Sequence, residues 1–292
     1  MSTEPEIVAP AQAESFLAGI ELKGNINIDT EALLHNVNHS IRLGYPQVWR
    51  TNGMHPDRVA IVGGGPSLLD TFDELLDLYH RGAKIVALNG AARFLMERNV
   101  RPHVHMVLDG RAGNADFILD REIPQCRYYL ASQVHPDVWA KVRGFEHVAI
   151  FHDAGDASAC EVLDRYYLKH WQGVPGGTTV GTRAIGLMRM LGFLRFDMFG
   201  FDSCWMDGKH HAYPQAQNAQ EARYVLTIQP GDESALPRQF SVAPWHLKQL
   251  DDLLLFIRSS GNSFMLNIHG DGLLAYALKA GSQMTATVNQ QE

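Results

Sequence analysis

Short apolar runs alternate with amphipathic stretches across the middle of the chain, over residues 59–202. Six runs rich in Val, Ile, Leu, Phe and Tyr predict buried strands: VAIVGG, KIVALNG, HVHMVLDG, CRYYLAS, HVAIFHD and FDMFGFD. Three stretches with apolar residues at helical spacing predict helices: LLDTFDELLDLYHRG, AARFLMERNV and TTVGTRAIGLMRMLG. Strands separated by helices predict an α/β protein with a mostly parallel sheet that helices cover on both faces.

The pattern changes on either side of this region. Before it, residues up to about 24 show no sustained period, and DTEALLHNVNHSIRLG predicts a helix capped by Asp29 or Thr30. After it, a polar stretch leads to two candidate strands (RYVLTIQ and QFSVAPW), an amphipathic helix and a strand–turn–helix unit. We therefore expect a tail and helix over residues 1–57, an α/β domain over 58–229, and an α/β extension over 230–292 packed on that domain.

Composition narrows the class of protein. The chain has 292 residues, 46% of them hydrophobic, and a formal net charge of -7. This balance argues against a general nucleic-acid or membrane-surface binder, which would show a basic face. Three cysteines without metal-ligand spacing, an acidic N-terminus and no apolar run of about 20 residues lead us to expect a cytoplasmic location and no membrane association.

Polar and glycine-rich segments follow the predicted strands, at the edge of the sheet where α/β proteins bind ligands. The first, with Gly63, Gly64, Gly65, Pro66 and Ser67, precedes a helix, so that backbone N–H groups there could approach an anion closely. A plain strand-to-helix turn is the alternative. A second glycine turn has the same form, and it comprises Gly176, Gly177, Thr178 and Thr179, with Arg183 in the following helix either near a phosphate or in solvent.

Five further side chains fall on this edge or next to it. Asn89 could bond a base, a ribose hydroxyl or a turn backbone. Asp109 and Asp202 could hold Mg²⁺, bond sugar hydroxyls or act as bases, although turn aspartates are common. His210 and His211 are adjacent in a long polar loop, so one of them could enter the site as a general base.

Several of these segments together resemble the MptE-like family, over residues 59–215. They are VAIVGGGPSL, IVALNG, RPHVHMVLDG and GGTTVGTRAIGLMRMLGFLRFDMFGFDSCWMDGKHHAYPQ. The family includes archaeal 6-hydroxymethylpterin diphosphokinases and the central domain of bacterial Maf proteins, which are associated with flagellin glycosylation. The same order of segments is similar, more distantly, to bacterial sialyltransferases that use CMP-sialic acid.

The resemblance implies a Rossmann-like fold and a nucleotide ligand. Gly65, Pro66 and Ser67 would hold phosphate or ribose, Asn89 would contact the nucleotide, and Thr178 and Thr179 would lie where the donor binds. DSCWMDGKHHA looks like a Maf segment, whereas residues 180–183, VGTR, lack the acids of the pterin enzymes.

Three functions stay open at this point. The first is a glycosyltransferase-like enzyme that uses a nucleotide-activated sugar such as a CMP-sugar, with His211 or His210 as base and Asp202 orienting the acceptor or the histidine. The second is a diphosphokinase that uses ATP and Mg²⁺, with Asp109 and Asp202 on the metal. The third is a nucleotide-binding module without turnover. The expected partners are a nucleotide and a small-molecule, glycan or protein acceptor, and a homo-oligomer is compatible with the sequence.

Overall fold

Ten strands and eight helices make up the regular structure of the residues that the computed structural model describes, which are 27–214, 222–232, 236–261, 263–281 and 284–290. The strands are β1 (Val59–Val62), β2 (Lys84–Leu88), β3 (Val104–Val107), β4 (Arg127–Ala131), β5 (Val148–Phe151), β6 (Arg195–Phe199), β7 (Tyr224–Gln229), β8 (Arg238–Val242), β9 (Met265–Ile268) and β10 (Thr285–Gln290). The helices are α1 (Thr30–Ile41), α2 (Phe72–His80), α3 (Ala91–Met96), α4 (Pro136–Lys141), α5 (Ala157–Tyr167), α6 (Val180–Met190), α7 (Pro244–Ser260) and α8 (Leu273–Ala280).

Seven parallel strands form the main sheet in the order β5-β4-β3-β2-β1-β6-β9. Every residue of β1 and β3 is buried, as apolar strands covered on both faces should be. The fold is thus the expected Rossmann-like α/β class. The chain runs outward from β1 to β5 and then returns to the other side of β1 as β6. Ligands in such sheets bind in the crevice that this reversal opens between β1 and β6.

The helix before the first strand forms where its capping residue predicts. The Asp29 side chain accepts a hydrogen bond from the N–H of Ala32 at 2.8 Å, which caps α1. Val37 and Ile41 on the apolar face are buried, and α1 packs against α5 and α4. Helix α1 therefore packs on the helices that follow β4 and β5.

The C-terminal part contributes to two sheets. Strand β9 pairs with β6 and completes the main sheet, whereas β7 pairs antiparallel with both β8 and β10 in a three-stranded sheet. The domain boundary expected at residue 229 therefore separates β7 from β8 and β10, its two partners in the small sheet. Among the described residues, no helix has the length and apolar character that crossing a membrane requires.

Candidate functional site

A cavity of about 880 Å³ opens at the carboxyl ends of the parallel strands. Segments after β1, β2, β3 and β6 line it, together with the beginnings of α6 and α7. Ten of the residues expected at the site lie on its wall: Gly63, Gly64, Gly65, Asn89, Asp109, Thr178, Thr179, Asp202, His210 and His211. Pro66 and Gly177 each adjoin a lining residue in the chain, and Ser67 follows Pro66, but none of the three is on the wall itself.

The turn after β1 packs directly against the turn after β6. Gly65 N–H donates to the carbonyl of Gly200 at 2.9 Å, and Ser67 N–H donates to Asp202 Oδ2 at 2.9 Å. A Cβ on Gly65 would lie 2.7 Å from the Gly200 oxygen and would overlap the Asp202 carboxylate. Gly65 therefore permits the turn after β1 to lie directly against the turn after β6. Pro66 then begins a 3-10 turn, Pro66–Leu68.

The second glycine turn is held from the C-terminal part of the chain. Both the N–H and the hydroxyl of Thr178 donate to Asp252 Oδ2, at 2.6 and 2.7 Å, and Lys248 Nζ pairs with the other oxygen of Asp252. Thr179 is the N-cap of α6 but forms no capping bond with its side chain. The first N–H groups of α6, at the positive end of the helix dipole, thus lack a side-chain acceptor at the N-cap.

Arg183 is buried, contrary to the expectation that it could be solvated, and it is not among the residues that line the cavity. Its side chain is 7% exposed, pairs with Asp153 at 2.8 Å and donates to the carbonyl of Gly177 at 2.7 Å. The Arg183 guanidinium therefore fixes the second glycine turn through its bond to the Gly177 carbonyl.

The histidine loop after β6 folds over the first glycine turn. His211 Nδ1 lies 3.3 Å from the Gly64 carbonyl, and because a carbonyl oxygen only accepts, Nδ1 must carry the proton of this bond. The Nε2 atom of the neutral ring is then an acceptor, and it is buried without a partner among the described residues. Burial lowers the pKa of His211, partly opposed by the bond to Gly64. The ring is therefore neutral at pH 7, and its Nε2 can accept a proton.

His210 lies among aromatic rings that the sequence did not connect with the site. Its ring centroid is 5.1 Å from that of Trp205, in a stacked arrangement, and 5.3 Å from those of Trp245 and His246. Burial, followed by the charges of His211 and Arg223, lowers the pKa of His210 to about 4. Trp245 and His246 lie at the start of α7. No local sequence pattern at that position indicates that these residues line a cavity.

Asp109 is engaged by the residue two positions after it. Its Oδ1 accepts from the Arg111 N–H at 2.9 Å, and its Oδ2 pairs with Arg111 Nη2 at 2.6 Å. The other carboxylate considered for a metal, Asp202, already receives the Ser67 N–H, and burial raises its pKa. No group of three or more His, Cys, Asp or Glu suited to a metal ion occurs in the described ranges. In this structure Asp109 is therefore engaged by Arg111, and Asp202 by the backbone of Ser67.

Fold and cavity together define an α/β protein with a cavity at the switch point of a parallel sheet. The model of the family described as 6-hydroxymethylpterin diphosphokinase MptE-like matches residues 31–208, and the chain belongs to this family. The resemblance seen in the sequence is thereby confirmed. The comparison with curated protein sequences gives no match.

Solved structures that are similar to this chain include two transferases. The Maf glycosyltransferase from Magnetospirillum magneticum AMB-1 matches with a TM-score of 0.59 and 15% identity, over 89% of this chain and 43% of that one. A mammalian sialyltransferase matches with a TM-score of 0.35 and 14% identity, over 69% of this chain and 74% of that one. The chain therefore spans less than half the length of the Maf enzyme, with which it shares the fold. Membership of this family supports a transferase-like function.

Proposed function

We propose that this protein is a glycosyltransferase-like enzyme that uses a nucleotide-activated sugar, with His211 as the general base. The observation that carries the proposal is the buried, unpartnered Nε2 of His211, which belongs to the same cavity as both glycine turns. A neutral imidazole with a lowered pKa and a fixed tautomer suits the removal of a proton from an acceptor hydroxyl.

In the proposed reaction, His211, the start of α6 and Asp202 have separate roles. His211 Nε2 takes the proton of the acceptor hydroxyl as its oxygen attacks the anomeric carbon of the donor sugar. The bond from that carbon to the nucleotide phosphate breaks, and negative charge grows on the phosphate. Backbone N–H groups at the start of α6 would stabilise this charge. Asp202 holds the turn after β1 through Ser67, so its proposed role is to position that turn.

A diphosphokinase is the second candidate because of the family's description. Diphosphate transfer and glycosyl transfer require different groups in the site. Transfer of a diphosphate from ATP relies on metal ions that neutralise the phosphates. Asp109, the first expected metal ligand, is instead paired with Arg111. This pairing favours glycosyl transfer over the diphosphokinase.

A ligand panel followed by a turnover assay tests the proposal. Thermal unfolding is measured with CMP, CDP, UDP, GDP, AMP and ATP, each with Mg²⁺ or with EDTA, because a ligand at a hundred times its Kd adds about 2.7 kcal/mol of stability. We expect stabilisation by a sugar-donor nucleotide in EDTA, and release of that nucleotide from its sugar conjugate when an acceptor is added. Stabilisation only by ATP with Mg²⁺ would favour the diphosphokinase. Nucleotide binding without turnover on any acceptor would favour a nucleotide-binding module that has no catalytic activity.

A further inference from the structure

Three ring nitrogen atoms on one side of the cavity are buried without hydrogen-bond partners in the described part of the chain. They are His210 Nε2, His211 Nε2 and Trp245 Nε1, and all three residues line the cavity. The His210 ring centroid lies 4.1 Å from that of His211 and 5.3 Å from that of Trp245. We call these three neighbouring rings the His–Trp wall. Buried polar atoms in folded proteins are nearly always hydrogen-bonded, and a ligand at this wall would supply the missing partners.

The His–Trp wall is held by contacts from distant parts of the chain. Trp205 stacks on His210 with centroids 5.1 Å apart, and its N–H donates to the Ser241 carbonyl at 2.9 Å. The His246 ring is 1% exposed and lies 5.3 Å from that of His210. Its Nδ1 accepts from the N–H of Ala243 at 2.9 Å, which fixes the first turn of α7. The wall is therefore a preformed part of the fold.

The hydrogen-bonding roles of the three atoms narrow the class of ligand. His211 Nε2 only accepts, because Nδ1 carries the proton that the Gly64 carbonyl receives. Trp245 Nε1 only donates. Burial lowers the pKa of His210 to about 4, so the ring is neutral, and its Nε2 donates or accepts according to its tautomer. A ligand at this wall must therefore both donate and accept.

Charged ligands do not meet this requirement. A phosphate or a carboxylate only accepts and would leave His211 Nε2 without a donor, whereas an ammonium group only donates and would leave Trp245 Nε1 without an acceptor. A hydroxyl group donates and accepts through one atom. If His211 takes the proton of the reacting hydroxyl, His210 and Trp245 require a second hydroxyl close to the first. A serine or threonine side chain has only one, whereas a sugar has hydroxyls on adjacent carbons.

We infer that the acceptor is a sugar, and that Trp245 Nε1 and His210 Nε2 bind the hydroxyl next to the one that reacts at His211. This inference rests on the proposed function in taking His211 as the base. Trp245 lies outside residues 31–208, which the family model matches, so the contact does not follow from membership of the family. It gives the beginning of α7 a role in the choice of acceptor.

The test compares matched variants. Trp245→Phe removes the indole N–H and keeps an aromatic ring, and His210→Phe does the same for the imidazole nitrogens. Trp139→Phe is the control, because Trp139 Nε1 is also buried without a partner among the described residues but does not line the cavity. Any effect of a lost buried indole N–H on the fold appears in both tryptophan variants, whereas loss of the ligand contact appears only in Trp245→Phe.

Ligand-observed NMR titration without a donor gives the Kd values. The probes are the methyl pyranosides of glucose, galactose and mannose, their monodeoxy derivatives, and the peptide acetyl-Ala-Ser-Ala-amide. We expect the wild type to bind at least one methyl glycoside. Trp245→Phe and His210→Phe should each weaken that binding about tenfold, as the loss of one hydrogen bond predicts, and Trp139→Phe should leave it unchanged. One monodeoxy derivative should bind the wild type about tenfold more weakly than its parent, and Trp245→Phe as well as its parent.

Separate results decide the inference and the proposed reaction. Absence of glycoside binding, or binding that Trp245→Phe and His210→Phe retain, refutes the inference. Transfer from the nucleotide sugar to the peptide, with none to the glycosides, would also refute it while supporting the proposed reaction. Glycoside binding that depends on Trp245 and His210, without transfer to any acceptor, would support the sugar site and contradict the proposed reaction.

Discussion

Ser67 N–H donates to Asp202 Oδ2 at 2.9 Å, across 135 residues of sequence. This hydrogen bond joins the turn after β1 to the turn after β6, on the two sides of the switch point. The Asp202 side chain is 2% exposed, so the bond is shielded from water. It couples the stability of the fold to the shape of the cavity.

Removal of the Asp202 carboxylate is expected to destabilise the protein. Asp202→Ala leaves the Ser67 N–H without its acceptor, and a hydrogen bond to a charged group contributes about 1.5–3 kcal/mol. We expect a loss of that size in urea unfolding at pH 7, and weaker nucleotide binding. Asp202→Asn keeps an oxygen for Ser67 and should lose less than half as much. Equal losses in both variants would mean that the charge matters and the hydrogen bond does not.

Gly65→Ala is expected to disrupt the same contact sterically. The new Cβ would lie 2.7 Å from the Gly200 carbonyl oxygen, and the backbone on one side must move. Overpacking of this kind costs about 1–3 kcal/mol. Gly53→Ala is the matched control, because nothing lies within 4 Å of its added Cβ. Thermal unfolding should give a lower Tm for Gly65→Ala than for Gly53→Ala. An unchanged Tm in Gly65→Ala would show that the two turns can move apart at little cost in stability.

His211→Gln is expected to lower kcat by about 10²–10⁴, the contribution of a general base, with the nucleotide Kd unchanged. His210→Gln should cost less, because His210 packs among aromatic rings. The pKa of His211 is lowered by burial, so the rate should stay level from pH 8 to below 6.5 and fall only as the ring protonates. A large loss in His210→Gln with little loss in His211→Gln would reverse the two roles.

The sequence predicts the sheet well because each strand has a local signal. Val59 and its neighbours form an uninterrupted apolar run, and buried parallel strands need such runs. The edge of the sheet follows from the same signal, so residues placed after strands, such as Asn89 and Asp202, could be assigned to the cavity. Their partners could not, since Ser67 and His105 are identified only by long-range contacts.

Two helices were missed because their apolar signal is weak. Helix α4 is six residues long and buries only Val138 and Trp139, and α5 buries only Ala159 and Leu163. The indole of Trp245 reaches the cavity wall because α7 packs against α6. No spacing along the chain encodes that packing, so α7 could be predicted as a helix but not as part of the site.

The stability of the protein should depend on pH through His269. Its Nε2 lies 3.1 Å from Asp197 Oδ1, and its Nδ1 lies 2.5 Å from Glu74 Oε2. Burial lowers the pKa of His269, but the bonds to Asp197 and Glu74 outweigh it, and the net shift is upward. The contribution of the charged ring is therefore complete below pH 6.5, the unfolded value, and is lost as the pH rises through the higher folded pKa.

His269→Gln should cost about 1 kcal/mol or more at pH 5.5 and less at pH 9 in urea unfolding. His35→Gln, at an exposed position of α1, is the control. A His269→Gln loss that does not change with pH would mean that the ring contributes by packing on Phe199, with centroids 4.1 Å apart, and not by its charge.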